Sequence, residues 1–423
     1  MRRSIRKRNW GGVFFTPNLE SLADRTVPSI TTSFGSGTLS ILGDAADDVV
    51  QVIAGSTPGS FTVSSDSGDQ TFNGVTSIEA DLGDGNDDLT IDLGAVANKA
   101  SMDVTADLGA GANVMDLKAE SIGMRADVNA SISGGDDGND VAVDLGSIHS
   151  RANVQLGMSL GNGENIADMN AAGVARAATV GLKYTGGEGG DDLAVSLGSI
   201  GSQADVQSQI DLGNGDNFAD VSADSIGRAS TFSLATTGGA GADEVTTDLG
   251  TVGSHAEVSS SADLGDGSNV DDISANSIGR SASIALSATG GIDDDQFTAD
   301  LGAVGARADI QTTADLGAGD NVAELAADSI GSRTSVNAQL TTAEGNDEVA
   351  VDLGTIASRV DLGLNIATGD GNDDITATAA SVGARLNSNI TIDSGAGNDS
   401  VDAGDLVDLG VPINFTDPTD IPV

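Results

Sequence analysis

Glycine-bearing turns recur at one fixed interval along this 423-residue chain. Counted from the residue two before the first shared glycine, they start at Asp81, Asp107, Ser133, Ser159, Thr185, Asp211, Thr237, Asp263, Thr289, Asp315, Thr341, Ala367 and Asp393. The same 26-residue step separates each start from the next, with no insertion or deletion. A fixed period of this length marks a stacked repeat, because one repeat alone cannot bury its apolar side.

Apolar columns run through the grid. One holds Val96, Ile122, Ile148, Val174, Ile200, Ile226, Val252, Ile278, Val304, Ile330, Ile356 and Val382. A second holds Met102, Val128, Val154, Val180, Val206, Phe232, Val258, Ile284, Ile310, Val336 and Leu362. Apolar residues alternate around the second column, as in Val128, Ala130 and Ile132, and again after each turn, as in Val349 and Val351. Period two means strands with one buried face. Glycine interrupts every coil and β-branched residues fill the core columns, which argues against helix. The expected fold is all-β: a parallel β-solenoid of 26-residue coils, each with two longer strands and a short third near the recurring Ser-Ile-Gly. Successive coils would stack about 4.8 Å apart, so thirteen would make a rod roughly 60 Å long. Aromatics are only 3% of the chain, which suits a thin core of Val, Ile, Leu and Ala. The grid divides the chain into a basic element at 1–30, a β cap at 31–80, the solenoid at 81–406 and a tail or end cap at 407–423.

Coils alternate in type, so the true repeat is a 52-residue unit, pairing "TGGEGGDDLAVSLGSI" with "DLGNGDNFADVSADSI". Six residues after each start stand Asp87, Asp191, Asp243, Asp295 and Asp347 in the first type, and Asn113, Asn165, Asn217, Asn269 and Asn321 in the second; Asn139 is an exception. Identical carboxylates stacked in every coil would repel by about 0.8 kcal/mol per pair even in water. Alternation doubles the spacing to about 10 Å, near the screening length. Asn also forms amide ladders, so the alternation has an explanation that needs no metal.

Net charge is -46. Most bases outside residues 1–30 are Lys99, Arg125, Arg151, Arg176, Arg228, Arg280, Arg307, Arg333, Arg359 and Arg385, all 17 or 18 residues after a coil start and so on one corner. Asp127, Asp309 and Asp361 follow an Arg by two, which suggests exposed ion pairs of little individual worth. So acidic a body excludes nucleic-acid binding by the repeats and favours bound cations or a salty medium. With no cysteine, disulfides and thiol chemistry are excluded. No apolar run approaches the roughly 18 residues of a transmembrane span.

Two turns, "GGEGGDDLA" at 186–194 and "GGAGADEVT" at 238–246, match Gly-Gly-x-Gly-x-Asp-x-apolar-x and resemble the nonapeptide of the RTX family; "GDGNDDITA" and "GDGNDDLTI" come near it. The resemblance implies calcium shared between turns of adjacent coils, with Asp87, Asp191, Asp192, Asp243, Asp347, Asp373 and Asp399 as candidate ligands. Calcium takes six to eight oxygens, which glycine-bent backbone and carboxylates can supply. Asp347, Asp373 and Asp399 occupy three successive coils and form the best cluster. The departures are the 26-residue spacing, where the family repeats every nine, and the loss of the motif in alternate coils. At the N-terminus, the basic start followed by Leu19, Glu20, Leu22, Asp24, Arg25, Val27, Pro28 and Ser29 resembles a short element of planctomycete extracellular proteins, with Ala23 departing from it. That resemblance implies export and says nothing about activity.

Catalytic signals are sparse. "GMSLG" contains the Gly-x-Ser-x-Gly string, but its Ser159 is an ordinary coil start equivalent to Ser133 and Thr185. His149 and His255 stand near the basic corner without candidate partners. The expected role is therefore a non-enzymatic, secreted or cell-surface structural or adhesive protein, with calcium ions and cell-envelope or matrix polymers as partners. The other open reading is a β-helical carbohydrate-active enzyme or carbohydrate binder. Such enzymes interrupt their coils with cleft-building loops, and sugar sites favour aromatic platforms. This chain has one Trp and one Tyr. Self-association and handedness stay open.

Overall fold

A computed structural model describes residues 30–416. The export-type element and residues 417–423 therefore lie outside the described residues. Each coil has three sides, as the alternation of the sequence predicts. Face A carries seven-residue strands such as Asp127–Ser133, face B five-residue strands such as Asp192–Ser196, and face C two-residue strands such as Ser199–Ile200. Stacking builds sheets of 16, 16 and 12 strands. Register is parallel and offset by one period: Val180 pairs with Val154 below it and Val206 above it. Both apolar columns point inward, as Ile122, Ile226, Val206 and Ile310 illustrate by their full burial. The chain is thus a β-solenoid of about 13 turns.

The corner from face C to face A has a backbone feature the sequence hid. In every coil from Lys99 to Arg385 one non-glycine residue there is left-handed, with φ between 54° and 64°. The corner residue is Arg in Arg125, Arg151, Arg307, Arg333, Arg359 and Arg385, but also Ala177, Gln203 and His255. A Cβ in this region costs on the order of 1 kcal/mol, so the stack imposes the turn. Its N–H groups donate to the next coil, as from Arg151 to the Arg176 carbonyl at 3.2 Å. The expected Arg–Asp ion pairs do not form. Among the described residues the single ion pair is Lys118–Asp116 at 2.7 Å. The left-handed turn has separated the corner side chain from the strand that follows. Arg176 instead donates from Nε and a terminal nitrogen to Gln203 Oε1, at 3.0 and 2.7 Å.

Both ends are covered. Strand Val49–Ala54 lies in parallel register under Asp88–Asp92, at a 39-residue offset in place of the usual one. The extra length forms antiparallel strands Ser60–Ser64 and Gln70–Asn73, which close face B, while Thr31–Gly35 closes face A. The N-terminal cap therefore contains one more partial coil. At the other end helix Gly404–Asp408 buries Leu406, and Ile413–Phe415 adds a last parallel strand to face A. The outermost strands Thr31–Gly35, Gln70–Asn73 and Ile413–Phe415 are short, which limits the edge offered to other chains.

Candidate functional site

The turn aspartates and asparagines form one line inside the rod. From Asp48 to Asp373 each is only 1–3% exposed. Its Oδ1 accepts from the counterpart one coil earlier. The Asp87 backbone N–H donates to Asn113 Oδ1 at 2.9 Å, that of Asp191 to Asn217 at 2.8 Å, and that of Asn217 to Asp243 at 3.2 Å. Asn side chains add a second bond, as from Asn217 Nδ2 to Asp243 Oδ1 at 2.7 Å. Each such bond satisfies a buried N–H that no strand ladder reaches, and leaving it unpaired would cost about 1–3 kcal/mol.

In most coils one neighbour inside the coil goes with the choice between Asp and Asn; Leu82 with Asp87 and Gly134 with Asn139 are the exceptions. One residue after the coil start, Leu108, Leu160, Leu212, Leu264 and Leu316 are buried beneath Asn coils. There the amide turns back and caps its own turn: Asn269 Nδ2 donates to the Gly267 carbonyl at 2.8 Å, and Asn321 Nδ2 to that of Gly319 at 3.0 Å. The Asp coils at Asp191, Asp243 and Asp295 carry Gly186, Gly238 and Gly290 instead. A Cβ on any of the three would collide with the carboxylate Oδ2. Glycine there makes room for the second oxygen, and Gly291 N–H donates to Asp295 Oδ2 at 2.9 Å. Near the C-terminal end a hydroxyl takes the same place, with Thr342 donating to Asp347 Oδ2 at 2.7 Å and Ser394 to Asp399 Oδ2 at 3.0 Å. Between them Asp373 has no such donor: Thr368 donates to the Ser394 carbonyl at 3.3 Å and Asp373 Oδ2 is without a hydrogen-bond partner.

Burial sets the electrostatics of the line. Desolvation pushes the carboxyls of Asp191, Asp243, Asp295, Asp347 and Asp373 above the usual range, against the lowering effect of their hydrogen bonds. Asp87, whose neighbour Leu82 leaves no room inward, is pushed up to about 6, again mainly by desolvation. Its Oδ2 has no hydrogen-bond partner. Burial, and secondly the Asp191 charge, raises the phenol of Tyr184, the one tyrosine, which is wholly enclosed.

The structure brings Asp87, Asp191, Asp243, Asp347, Asp373 and Asp399 onto this single line, joined to neighbours by backbone N–H groups. Asp192 is not with them. It is the first residue of its face B strand and exposed, pairing with Ile166 and Phe218. The fit to calcium is narrow, since in each ladder residue one oxygen already accepts hydrogen bonds. Among the described residues no group of three or more acidic or His side chains converges as a metal-holding set. Sequence reasoning missed Asp48, which extends the line: its N–H donates to Asp87 Oδ1 at 2.8 Å. The strings "LGDAADD" at 42–48 and "LGDGNDD" at 82–88 are alike but 40 residues apart, which sets Asp47 over Asp87, whereas the structural offset of 39 brings Asp48 there. It also missed Asp271, which stands in the inward column between Val245 and Phe297. Neither Asp271 oxygen has a partner, and burial raises this carboxyl to about 7. Ser159, His149 and His255 are all exposed, each on its own coil.

Compared with protein-family models, curated proteins and solved structures, the chain matches none, so its function has to be read from this geometry.

Proposed function

We propose that the chain is a non-enzymatic structural and adhesive rod, working outside the cell or at its surface. The observation that carries this reading is the unbroken coil: from Asp81 to Asp393 every position recurs one period on, with no loop interposed. A rod of this kind presents each side-chain type as an evenly spaced row, which suits many weak, equivalent contacts with a repeating polymer. Capped ends hold its length fixed, and the internal Asp–Asn line locks coil to coil. The basic N-terminal element, through its resemblance, supplies the route out of the cell. The aspartates have a sufficient role in the stack, so the reading stands with or without calcium.

The test is protease shaving and antibody labelling of intact cells that make the protein, beside a variant lacking residues 1–30. Surface labelling of the full chain and intracellular retention of the variant are expected. A full-length protein that stays protected inside the cell would sink the reading.

A further inference from the structure

Acid is distributed unequally around the rod. Face B carries it on the outward midline, in Asp116, Asp168, Asp220, Asp272 and Glu324. Face A does not. Its two central outward columns carry acid only in their first coils, at Glu79 and Asp103, and then run from Asn129 and Ser131 to Asn389 and Thr391. Across those eleven coils they hold Gln, Asn, Ser, Thr, Gly and Ala, one base, Lys183, and no acid at all. The chain as a whole has 64 acidic residues, so this strip is a marked exception. Acids return at both edges of the same strands, as Asp205 and Asp309 on one side and Asp211 and Asp315 on the other.

The strip is also hollowed. A depression of about 760 Å³ runs from Asp103, which accepts from Asn129 Nδ2 at its N-terminal end, over Gln155, Gly157, Gly181, Lys183 and Gln207. Gly157 opens it, since a Cβ there would meet nothing nearer than the Ala130 carbonyl at 4.0 Å. A second hollow of about 360 Å³ repeats the pattern around Gly363, with Gln311, Asn337 and Asn389. Lys183 stands beside Gly157 and, among the described residues, has no ion-pair partner.

The geometry points to face A as a docking strip for a linear, hydroxyl-rich polysaccharide, seated across Gly157 and Lys183. Amides and hydroxyls both donate and accept, as sugar hydroxyls do, and none of them carries a charge that binding would desolvate. Coil spacing of about 4.8 Å is close to the length of one sugar unit in an extended chain, so successive rows can meet successive sugars. The strip has no exposed aromatic or large aliphatic residue, the anchors that a protein partner needs. One base in eleven coils does not serve a nucleic acid. Binding would be weak per sugar and cumulative along the rod. The inference rests on the adhesive reading and names what that reading leaves open.

The experiment is native affinity electrophoresis of the full chain in gels containing hydroxyethyl cellulose, a soluble mannan or alginate. It is run beside the variants Gly157→Gln, which fills the open hollow, and Lys183→Ala with Gln207→Ala. Retardation by at least one neutral polysaccharide is expected, with an apparent Kd at least tenfold weaker in both variants and melting midpoints unchanged. No retardation in any gel, or equal retardation of wild type and variants, overturns the proposal. So does a wild-type dimer in analytical ultracentrifugation that Gly157→Gln abolishes, which would give the face to a second copy. Binding of labelled protein to isolated cell envelopes separates the two readings. Envelope binding that the variants keep removes the strip and leaves the adhesive role, whereas no envelope binding by wild type removes both.

Discussion

Asp271 takes a place that Ala219 and Ala323 hold in nearby coils, and it is enclosed by the same apolar surroundings. Across the core, the inward residues of strands Glu257–Asp263 and Ser283–Thr289 are Val258, Ser260, Ala262, Ile284, Leu286 and Ala288, none of which titrates. Glu244 and Asp248 below and Asp300 above lie on exposed positions, and Asp272 points out beside it. A carboxyl raised to about 7 from 3.8 binds its proton more tightly in the folded rod than in the unfolded chain. Its contribution is most favourable below the unfolded value and is lost as pH rises through about 7. The full difference is on the order of 4 kcal/mol. Asp271→Ala should therefore raise the melting midpoint at pH 8 and change it little at pH 4. A variant destabilised at pH 8 would show that Asp271 has a partner. The ladder residues behave differently because they have partners. Asp191→Asn keeps an acceptor for Asn165, whose N–H and Nδ2 donate to Oδ1 at 3.0 and 2.9 Å. Its new amide hydrogens face the cavity of Gly186, where Asn139 in the Gly134 coil donates Nδ2 to the Leu160 carbonyl at 2.9 Å. Asp191→Asn should melt at or above wild type, and Asp191→Ala should lose about 1–3 kcal/mol in denaturant titration. Equal effects of the two would remove the ladder's role.

At the scale of one coil, the Leu–Asn and Gly–Asp pairings are complementary, and the stack alternates them. Removing one 52-residue unit in register, from Thr185 to Thr236, joins equivalent positions and keeps the alternation. A folded rod two coils shorter, with the same circular dichroism per residue, is expected. Removing only Asp211 to Thr236 keeps the backbone register but places Asp191 directly under Asp243, with Gly on both coils and no hydroxyl to donate. That variant should melt lower than the two-coil deletion at pH 8, and the gap should narrow at pH 5 as one carboxyl takes a proton. Equal midpoints at pH 8 would mean that coil type does not matter to stacking.

For the whole rod, every buried carboxyl whose proton affinity departs from the ordinary value is raised: Asp48, Asp87, Asp191, Asp243, Asp271, Asp295, Asp347 and Asp373. All shifts have one sign, so the folded state holds more protons and stability falls as pH rises through these raised values. Repulsion within a chain of net charge -46 acts in the same direction but is screened by salt, whereas the buried line is not. Calorimetry should give a higher midpoint at pH 5 than at pH 8, and the difference should persist in 1 M salt. A lower midpoint at pH 5 would contradict the buried line. Calcium separates the two accounts of the turn. If the carboxylates serve only the stack, chelator leaves both spectrum and midpoint in place. A midpoint that rises with calcium and falls with chelator would give the turns the role their resemblance implies.

The amino-acid sequence by itself determined the fold. A 26-residue period with inward columns such as Ile122–Ile148 and Val128–Val154 leaves one way to bury both, because side chains of a strand alternate and coils must stack in register. It also determined that Asp and Asn share one column. Only the tertiary structure decided which way that column points. Asp191 and Asp192 are adjacent, and nothing local separates them; on the rod one is sealed inside and the other lies in solvent. The reason is that orientation at a turn depends on what the adjoining coils offer, here the Asn165 N–H that donates to Asp191 Oδ1, the Asn217 Oδ1 that accepts from the Asp191 N–H, and the space over Gly186 beneath the Leu212 carbonyl. The acid-free strip was hidden for the same cause. Its residues are ordinary one by one, and they become a surface only when successive coils stand side by side.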